Sequence, residues 1–262
     1  MEADSHYIIG RKHDVCQDYS VVGKSLGNNP FCIVADGCST APNSDIGARL
    51  LAHSLVQQGE EGVPFNFSEA IYKACHTADS LGLPRECTMA SVMALQVTNN
   101  NVIAYMVGDG FLMARERLTG NIIVWQLRAS NNAPEYLYYI TNPKDHAVYQ
   151  QYYTGKKEIN VILIEKNGKI REQPDEKQFR RELIIRLKLD LESYDIIAVS
   201  SDGINSFDNT VLTTDIIRDL VNVKNTKGSF VTRRMKRFER ECIENEEYHS
   251  DDISIAAVYL GD

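Results

Sequence analysis

The chain has 262 residues, of which 43% are hydrophobic, and it carries a formal net charge of −8. This acidic balance argues against a nucleic-acid partner, because nucleic-acid-binding proteins normally present a basic face. No apolar run approaches the roughly 20 residues needed to cross a bilayer, and the first residues lack the basic and apolar regions of a signal peptide, so we expect a cytoplasmic protein without a membrane partner.

Nine short segments are rich in β-branched and apolar residues, and four longer segments show helical periodicity. The predicted strands are His6–Ile9, Tyr19–Val22, Phe31–Ala35, Thr88–Val97, Val102–Val107, Ile122–Leu127, Val161–Glu165, Ile196–Ser200 and Ile253–Leu260. The predicted helices are Ser44–Gln58, Ser68–Leu81, Thr213–Val221 and Val231–Ile243. Ser44 and Ser68 are the predicted N-caps, because each is followed by an acidic residue at the start of a helix.

The order of these elements differs from the strict strand and helix alternation of a doubly wound sheet. It favours an α+β fold, a four-layer αββα sandwich in which helices flank two central, mainly antiparallel sheets. No linker interrupts the pattern, so residues 1–262 are predicted to form a single domain. Residues 131–157 are tyrosine-rich and show no clear period, which is typical of a surface excursion or flap.

Four aspartates lie at the ends of apolar strands, where aspartate is a poor strand residue. Asp36, Asp109 and Asp202 each follow such a segment and are each followed by glycine, and Asp251 precedes the last predicted strand. One Asp-Gly pair after a strand is usually a turn. Three such pairs in one chain indicate a shared function at one end of the sandwich.

Several carboxylates gathered at one place would repel one another unless cations neutralised them. The glycine after each aspartate lets the backbone turn sharply, so that Asp36 and Gly37 can offer a carboxylate and a carbonyl oxygen to the same ion. No histidine or cysteine accompanies these aspartates in the pattern, which disfavours zinc. The sequence therefore predicts a site for Mg²⁺ or Mn²⁺, which favour oxygen ligands.

Ordered motifs across nearly the whole chain resemble those of the metal-dependent serine/threonine protein phosphatases of type 2C. The motifs are HDVCQD at 13–18, VADG at 34–37, SDIGA at 44–48, CTMAS at 87–91, VGDG at 107–110, VSSDG at 199–203 and SDDIS at 250–254. Each is weak alone, but the set in this order is specific. The HDVCQD variant is similar to a compact, largely bacterial branch of the family.

The resemblance implies a role for each aspartate of the pattern. Asp36 would bridge two metal ions, with the Gly37 carbonyl on one of them, and Asp109 would support a third, weaker ion. The other implied ligands are Asp18, Asp202 and Asp251. The choice of Asp251 depends on how SDDIS is aligned with the last motif of the family. Ile253-Ser254 is matched to the hydrophobic-Ser/Thr pair of that motif, and a shift of one residue would select Asp252 instead.

The resemblance also implies the reaction, hydrolysis of phosphoserine and phosphothreonine monoesters in proteins by a water activated between two metal ions. Asp36, Asp202 and His13 are the candidate catalytic residues. His13 stands where most of the family has a phosphate-binding arginine, and Arg11 just upstream is a second candidate for binding the phosphate. The implied partner is a phosphoprotein, a target of or partner to a serine/threonine kinase, and the enzyme is expected to be a monomer.

Two other functions compete with this hypothesis. A phosphatase-like module could have lost turnover and bind phosphoproteins or partners in regulation, because a fold does not determine function. The retention of all the clustered carboxylates argues against it, since buried charges are costly to keep without a use. A structural calcium protein is disfavoured because the chain lacks an EF-hand pattern.

Overall fold

The computed structural model describes residues 1–129, 133–153, 157–174, 182–207 and 212–261. Within these ranges the chain forms two antiparallel sheets and six α-helices, which confirms the α+β prediction. No helix in the described ranges is long and apolar enough to cross a membrane.

The larger sheet has seven strands, and every neighbouring pair in it is antiparallel. Their order is β1 (Glu2–Ile8), β12 (Ile253–Tyr259), β11 (Tyr194–Ser200), β6 (Gly110–Glu116), β7 (Ile122–Ala129), β8 (Lys157–Ile164) and β9 (Ile170–Pro174). The smaller sheet has five strands, also antiparallel. Their order is β10 (Ile185–Asp190), β5 (Asn101–Val107), β4 (Ala90–Val97), β3 (Pro30–Gly37) and β2 (Asp18–Lys24).

Helices cover the outer face of each sheet. The smaller sheet is covered by α1 (Ser44–Glu61) and α2 (Phe67–Ser80), and the larger sheet by α5 (Thr213–Val221) and α6 (Phe230–Asn245). Two further helices, α3 (Tyr138–Thr141) and α4 (Pro143–Tyr152), lie between β7 and β8 in the chain.

Three apolar clusters separate the four layers, and β3 shows how one strand serves two of them. Phe31 and Ile33 on one face of β3 pack beneath α1 and α2. Cys32 and Val34 on the other face pack in the cluster between the two sheets. Because alternate residues of a strand point to opposite faces, a strand buried on both sides is apolar throughout, as this one is until Asp36.

The structure corrects several details of the sequence-based assignment. Strands β6, β9 and β10 were not predicted, and the region predicted as a strand from Thr88 begins with a 3₁₀ turn over Arg85–Thr88. The N-caps are Asn43 and Asn66 rather than Ser44 and Ser68. The side chain of Asn66 accepts a hydrogen bond from the Glu69 backbone N–H, which is the bond that an N-cap supplies.

The predicted excursion over 131–157 lies partly outside the described residues, at 131, 132 and 154–156. Its described part forms α3 and α4, in which Tyr138 and Tyr149 are buried. Rings of Tyr139, His146, Tyr149 and Tyr153 contact one another in a stacked or tilted series. The extent of this excursion and the assignment of the whole chain to one domain stay predictions.

Gly47 in α1 gives a test of how closely the helix packs on the turn before β4. A Cβ atom at residue 47 would lie 1.8 Å from the Cys87 carbonyl oxygen. We therefore predict that Gly47→Ala lowers the free energy of unfolding by about 1 to 3 kcal/mol, because backbone atoms must move apart. Urea denaturation measures this. Gly27→Ala is the control, since its Cβ would meet nothing closer than 3.7 Å, and an equal loss in both variants would contradict the prediction.

Candidate active site

Registers of neighbouring strands bring the predicted aspartates to one end of the two sheets. In the smaller sheet, Asp18 at the start of β2 lies directly opposite Asp36 near the end of β3. Asp36 is in turn opposite Ser91 on β4, whose hydroxyl donates a 2.6 Å hydrogen bond to Asp109. These pairings place three of the predicted ligands side by side.

The larger sheet contributes the other two. Ser200 at the end of β11 pairs with Phe111 near the start of β6 and with Ile255 near the start of β12. Asp202 lies two residues after the end of β11, and Asp251 two residues before the start of β12, so both lie at the same end of the sheet. The structure therefore brings together all five aspartates that the sequence singled out.

Burial raises the pKa of four of these carboxyl groups, those of Asp18, Asp36, Asp109 and Asp202, and neighbouring carboxylates raise it further. The pKa of Asp36 is raised well above its ordinary value, first by burial and then by the carboxylates of Asp18, Asp202, Asp109 and Asp251. The pKa of Asp202 is raised to about 7, again first by burial. Every side chain named as shifting these two groups is itself acidic. The negative charge of the cluster is thus not offset by a protein cation among these neighbours.

Serine hydroxyls orient two of the carboxylates. Ser201 donates a 2.6 Å hydrogen bond to Asp18, and its oxygen accepts one from the Ser254 backbone N–H at 3.0 Å. Burial nevertheless raises the pKa of Asp18 to about 7. The pKa of Asp109 is also raised by burial, although the hydrogen bond from Ser91 opposes this rise. The hydroxyl groups therefore fix the carboxylates in position without neutralising them.

Asp251 and Asp252 have different environments. Asp252 is 2% exposed, and its two carboxylate oxygens accept hydrogen bonds from the backbone N–H groups of Gly10 and Gln17, at 2.7 and 2.6 Å. The side chain of Asp251 is 47% exposed, and its charge acts on Asp36. The sequence-based choice of Asp251 as the ligand stays a prediction, and these environments favour it.

His13 and Arg11 are both engaged by the protein. The His13 Nδ1 atom lies 3.0 Å from an Asp252 carboxylate oxygen, at an angle that does not make a hydrogen bond, and its Nε2 atom lies 3.6 Å from Asp251. The Arg11 guanidinium stacks on the Tyr248 ring, 3.7 Å from the centroid. The phosphate-binding role predicted for these two residues stays a prediction.

Possible metal-ligand atoms of His13, Asp251 and Asp252 all lie within 4.8 Å of one another. Among the described residues, no other group of three histidine, cysteine or acidic side chains is spaced this closely. We do not interpret it as the main metal site, because the oxygens of Asp252 already accept two backbone N–H groups. No three of the predicted aspartates form such a group in the described ranges. An all-oxygen donor set with uncompensated negative charge fits Mg²⁺ and Mn²⁺, which retain several water ligands.

Sequence reasoning missed three residues that shape the site. Ser91 and Ser201 lie inside motifs used for the resemblance, so their roles could have been sought there. Tyr136 comes from the segment before α3 and gave no such signal. Its hydroxyl group is in hydrogen-bonding contact with Cys38, and its pKa is raised first by burial and then by Cys38, Asp109 and Asp36. The phenol is thus a neutral hydrogen-bond donor beside the acidic cluster.

Residues 5–238 match the family model described as Protein phosphatase 2C. The chain belongs to this family. The family is metal-dependent, and its members are protein phosphatases, so the prediction of a protein phosphatase is confirmed.

Solved structures agree with this assignment at the level of the fold. A bacterial serine phosphatase matches with 13% identity and a TM-score of 0.61, covering 100% of this chain and 98% of the other. The serine/threonine phosphatase of Staphylococcus aureus matches with 13% identity and a TM-score of 0.59, covering 100% and 95%. That of Mycobacterium tuberculosis matches with 10% identity and a TM-score of 0.55, covering 100% and 99%. A search of curated protein sequences finds no match.

The raised pKa values predict how the stability of the metal-free phosphatase depends on pH. The carboxyl groups of Asp18 and Asp202 ionise near pH 4 when unfolded but near pH 7 when folded, so the folded state binds more protons between these values. The free energy of unfolding should therefore fall as pH rises from about 4 to about 7, by on the order of several kcal/mol, and then level off.

Urea denaturation of chelator-treated protein at several pH values measures this decline. Asp18→Asn, which cannot ionise, should flatten part of it. Saturating Mg²⁺ should reverse it, because the cation binds the ionised carboxylates. A stability that is constant or that rises over this pH range would contradict the electrostatic description of the site.

Proposed function

We propose that this phosphatase hydrolyses phosphoserine and phosphothreonine monoesters in proteins, as a cytoplasmic monomer that requires Mg²⁺ or Mn²⁺. The observation that carries the proposal is the convergence of five aspartates at one end of both sheets, where burial and neighbouring carboxylates raise the pKa of Asp18, Asp36, Asp109 and Asp202. Its substrates would be the products of a serine/threonine kinase.

Asp36 is central to the proposed ligand set, because four other aspartates act on it. Gly37 beside it would offer its carbonyl oxygen to the same ions. A side chain at residue 37 is excluded, since a Cβ atom would lie 2.7 Å from the Ser44 carbonyl oxygen. The further proposed ligands are Asp18, Asp202 and Asp251, with Asp109 for a third, weaker ion.

When bound, the ions would lower the pKa of water and stabilise the charge that develops on the phosphoryl oxygens. The residues of the chain contribute orientation. Ser201 and Ser91 restrict the rotamers of Asp18 and Asp109, so that these carboxylates need not reorganise during the reaction. Tyr136 supplies a neutral hydroxyl donor at the same place, which suits a phosphoryl oxygen.

The first test of this function is the dependence of turnover on a divalent cation. Hydrolysis of a phosphothreonine peptide should need added Mg²⁺ or Mn²⁺ and stop in excess chelator, and a phosphotyrosine peptide should be a poorer substrate. Asp36→Asn should lower kcat on the order of 100-fold or more, because it removes the charge shared by the ions. No turnover with any cation would instead favour the inactive binding module, and undiminished turnover in chelator would refute the metal mechanism.

A second test separates Asp251 from Asp252. Asp251→Asn should weaken metal binding and lower kcat while leaving the free energy of unfolding nearly unchanged, because the side chain is 47% exposed. Asp252→Asn should lower the free energy of unfolding by about 1 to 3 kcal/mol, since an amide NH₂ group would oppose one of the two backbone donors.

Calorimetric metal titration and urea denaturation of the two variants give both quantities. The pair serves as its own control, because the same chemical change is made at adjacent residues. If Asp252→Asn removes metal binding and Asp251→Asn does not, the ligand is Asp252 and the register of the last motif shifts by one residue.

A further inference from the structure

The fold brings a histidine to the aspartate that precedes β12. The Nε2 atom of His13 lies 3.6 Å from a carboxylate oxygen of Asp251. Asp252 completes the group, whose possible metal-ligand atoms all lie within 4.8 Å of one another. We call this group of three residues the histidine site. It shares Asp251 with the predicted Mg²⁺ ligands, and it adds the nitrogen ligand that the aspartate pattern lacks.

Backbone hydrogen bonds hold the two sides of the histidine site together. The Lys12 N–H group donates to the Ser250 carbonyl oxygen at 3.1 Å, and His13 and Asp251 follow these two residues directly in the chain. The side chain of His13 is 18% exposed, and that of Asp251 is 47% exposed. The histidine site is therefore fixed in position but open to an ion and to water.

The imidazole of His13 makes neither of the hydrogen bonds that its acidic neighbours could accept. Its Nδ1 atom is buried without a hydrogen-bond partner in the described part of the chain, although an Asp252 oxygen lies 3.0 Å away. The 3.6 Å between Nε2 and Asp251 is longer than a hydrogen bond. Because buried polar atoms nearly always have a partner, a ring placed in this way indicates a ligand other than the two carboxylates.

The spacing of the two ligand atoms suits a zinc ion. Zn–N and Zn–O bonds of about 2.1 Å at a tetrahedral angle separate the nitrogen and the oxygen by about 3.4 Å. The observed distance between Nε2 of His13 and Asp251 is 3.6 Å. A histidine that binds a metal usually donates its other ring N–H group to a carboxylate. Asp252 lies on the Nδ1 side of the ring, held by the N–H groups of Gly10 and Gln17, so a small rotation of the ring would make this bond.

The ligand types select the ion. Imidazole nitrogen is a good ligand for Zn²⁺, whereas Mg²⁺ prefers oxygen ligands. The lack of a neighbouring histidine in the sequence pattern disfavoured zinc, but His13 removes this argument for Asp251. Two cations that share one carboxylate repel each other, so each lowers the affinity of the protein for the other. Zn²⁺ at the histidine site should therefore weaken the binding of Mg²⁺ to the aspartates.

We propose that Nε2 of His13 and the carboxylate of Asp251 bind Zn²⁺, with Asp252 orienting the imidazole and water completing the coordination, and that this ion competes with Mg²⁺. The zinc site itself does not depend on turnover. Its consequence, inhibition of the enzyme by Zn²⁺, rests on the proposed phosphatase function.

The first test is a calorimetric titration of Zn²⁺ into protein held in excess Mg²⁺, which occupies the aspartates. His13→Ala should weaken Zn²⁺ binding by about 100-fold, because loss of a ligand costs at least as much as the 10- to 100-fold typical of a residue behind it. His76→Ala, which removes an exposed histidine on α2, is the matched control and should bind Zn²⁺ as the wild type does. Raising the Mg²⁺ concentration should lower the apparent affinity of the wild type for Zn²⁺.

The second test observes the imidazole in the wild-type protein, so that it does not depend on a variant that folds. In protein labelled with ¹⁵N at histidine, Zn²⁺ should shift the Nε2 resonance of one ring. That resonance should be missing from the spectrum of His13→Ala, or of His13→Gln where the alanine variant does not fold. The same shift should not occur with Mg²⁺ alone.

The third test measures inhibition of Mg²⁺-dependent aryl phosphate hydrolysis by Zn²⁺. Each rate is divided by the zinc-free rate of the same variant, so that any effect of the substitution on turnover cancels. Half-inhibition of His13→Ala should need at least about tenfold more Zn²⁺ than that of the wild type or His76→Ala, since a ligand is lost.

Equal Zn²⁺ affinity of wild type and His13→Ala would overturn the proposal, and so would an unshifted His13 resonance, because the histidine would then only pair with the two carboxylates. Zn²⁺ affinity that is independent of Mg²⁺ would overturn the competition through Asp251. If the wild type hydrolyses no aryl phosphate with any cation, the proposed function fails, while calorimetry and the histidine spectrum still decide whether the zinc site exists.

Discussion

The structure depends on one unfavourable interaction, the crowding of carboxylates where the two sheets end. Asp18 and Asp36 face each other across a strand pair, and burial of both raises their pKa. Such a pair cannot move apart, because the registers of β2, β3 and β4 are set by apolar residues packed on both faces. The free energy of the three apolar clusters thus holds like charges together, and a bound cation would relieve the repulsion.

Hydrogen bonds around the cluster decide which carboxylates stay available to a cation. Asp252 is satisfied by two backbone N–H groups from the loop between β1 and β2, so its charge serves to join that loop to the start of β12. Gly10 makes the junction possible, since a Cβ there would lie 2.3 Å from the Asp251 carbonyl carbon. The Asp251 carboxylate accepts a 2.9 Å hydrogen bond from the Asp252 backbone N–H, and its charge acts on Asp36. One acidic residue thus organises the backbone, and its neighbour remains the predicted ligand.

Patterns local in sequence were predictable, and contacts between distant segments were not. The amphipathic helix α5 has the predicted bounds, and the strand ends bearing Asp36 and Asp202 were recognised from apolar runs followed by Asp-Gly. Strand β6 was missed because Leu, Met, Ala, Arg and Glu are better helix formers than strand formers. The choice between Asp251 and Asp252 depends on N–H groups 235 and 242 residues away from Asp252, which no local pattern reports.

The two residues predicted to bind phosphate lie against other side chains of the protein. His13 lies against Asp251 and Asp252, and Arg11 is stacked on Tyr248. Both side chains therefore have partners within the protein, and a phosphate would have to compete for them. Tyr136, from a segment without a family motif, is in hydrogen-bonding contact with Cys38, and its phenol stays protonated because burial raises its pKa. A neutral donor adds no charge to the cluster, so the attraction of an anionic substrate would have to come chiefly from cations bound at the aspartates.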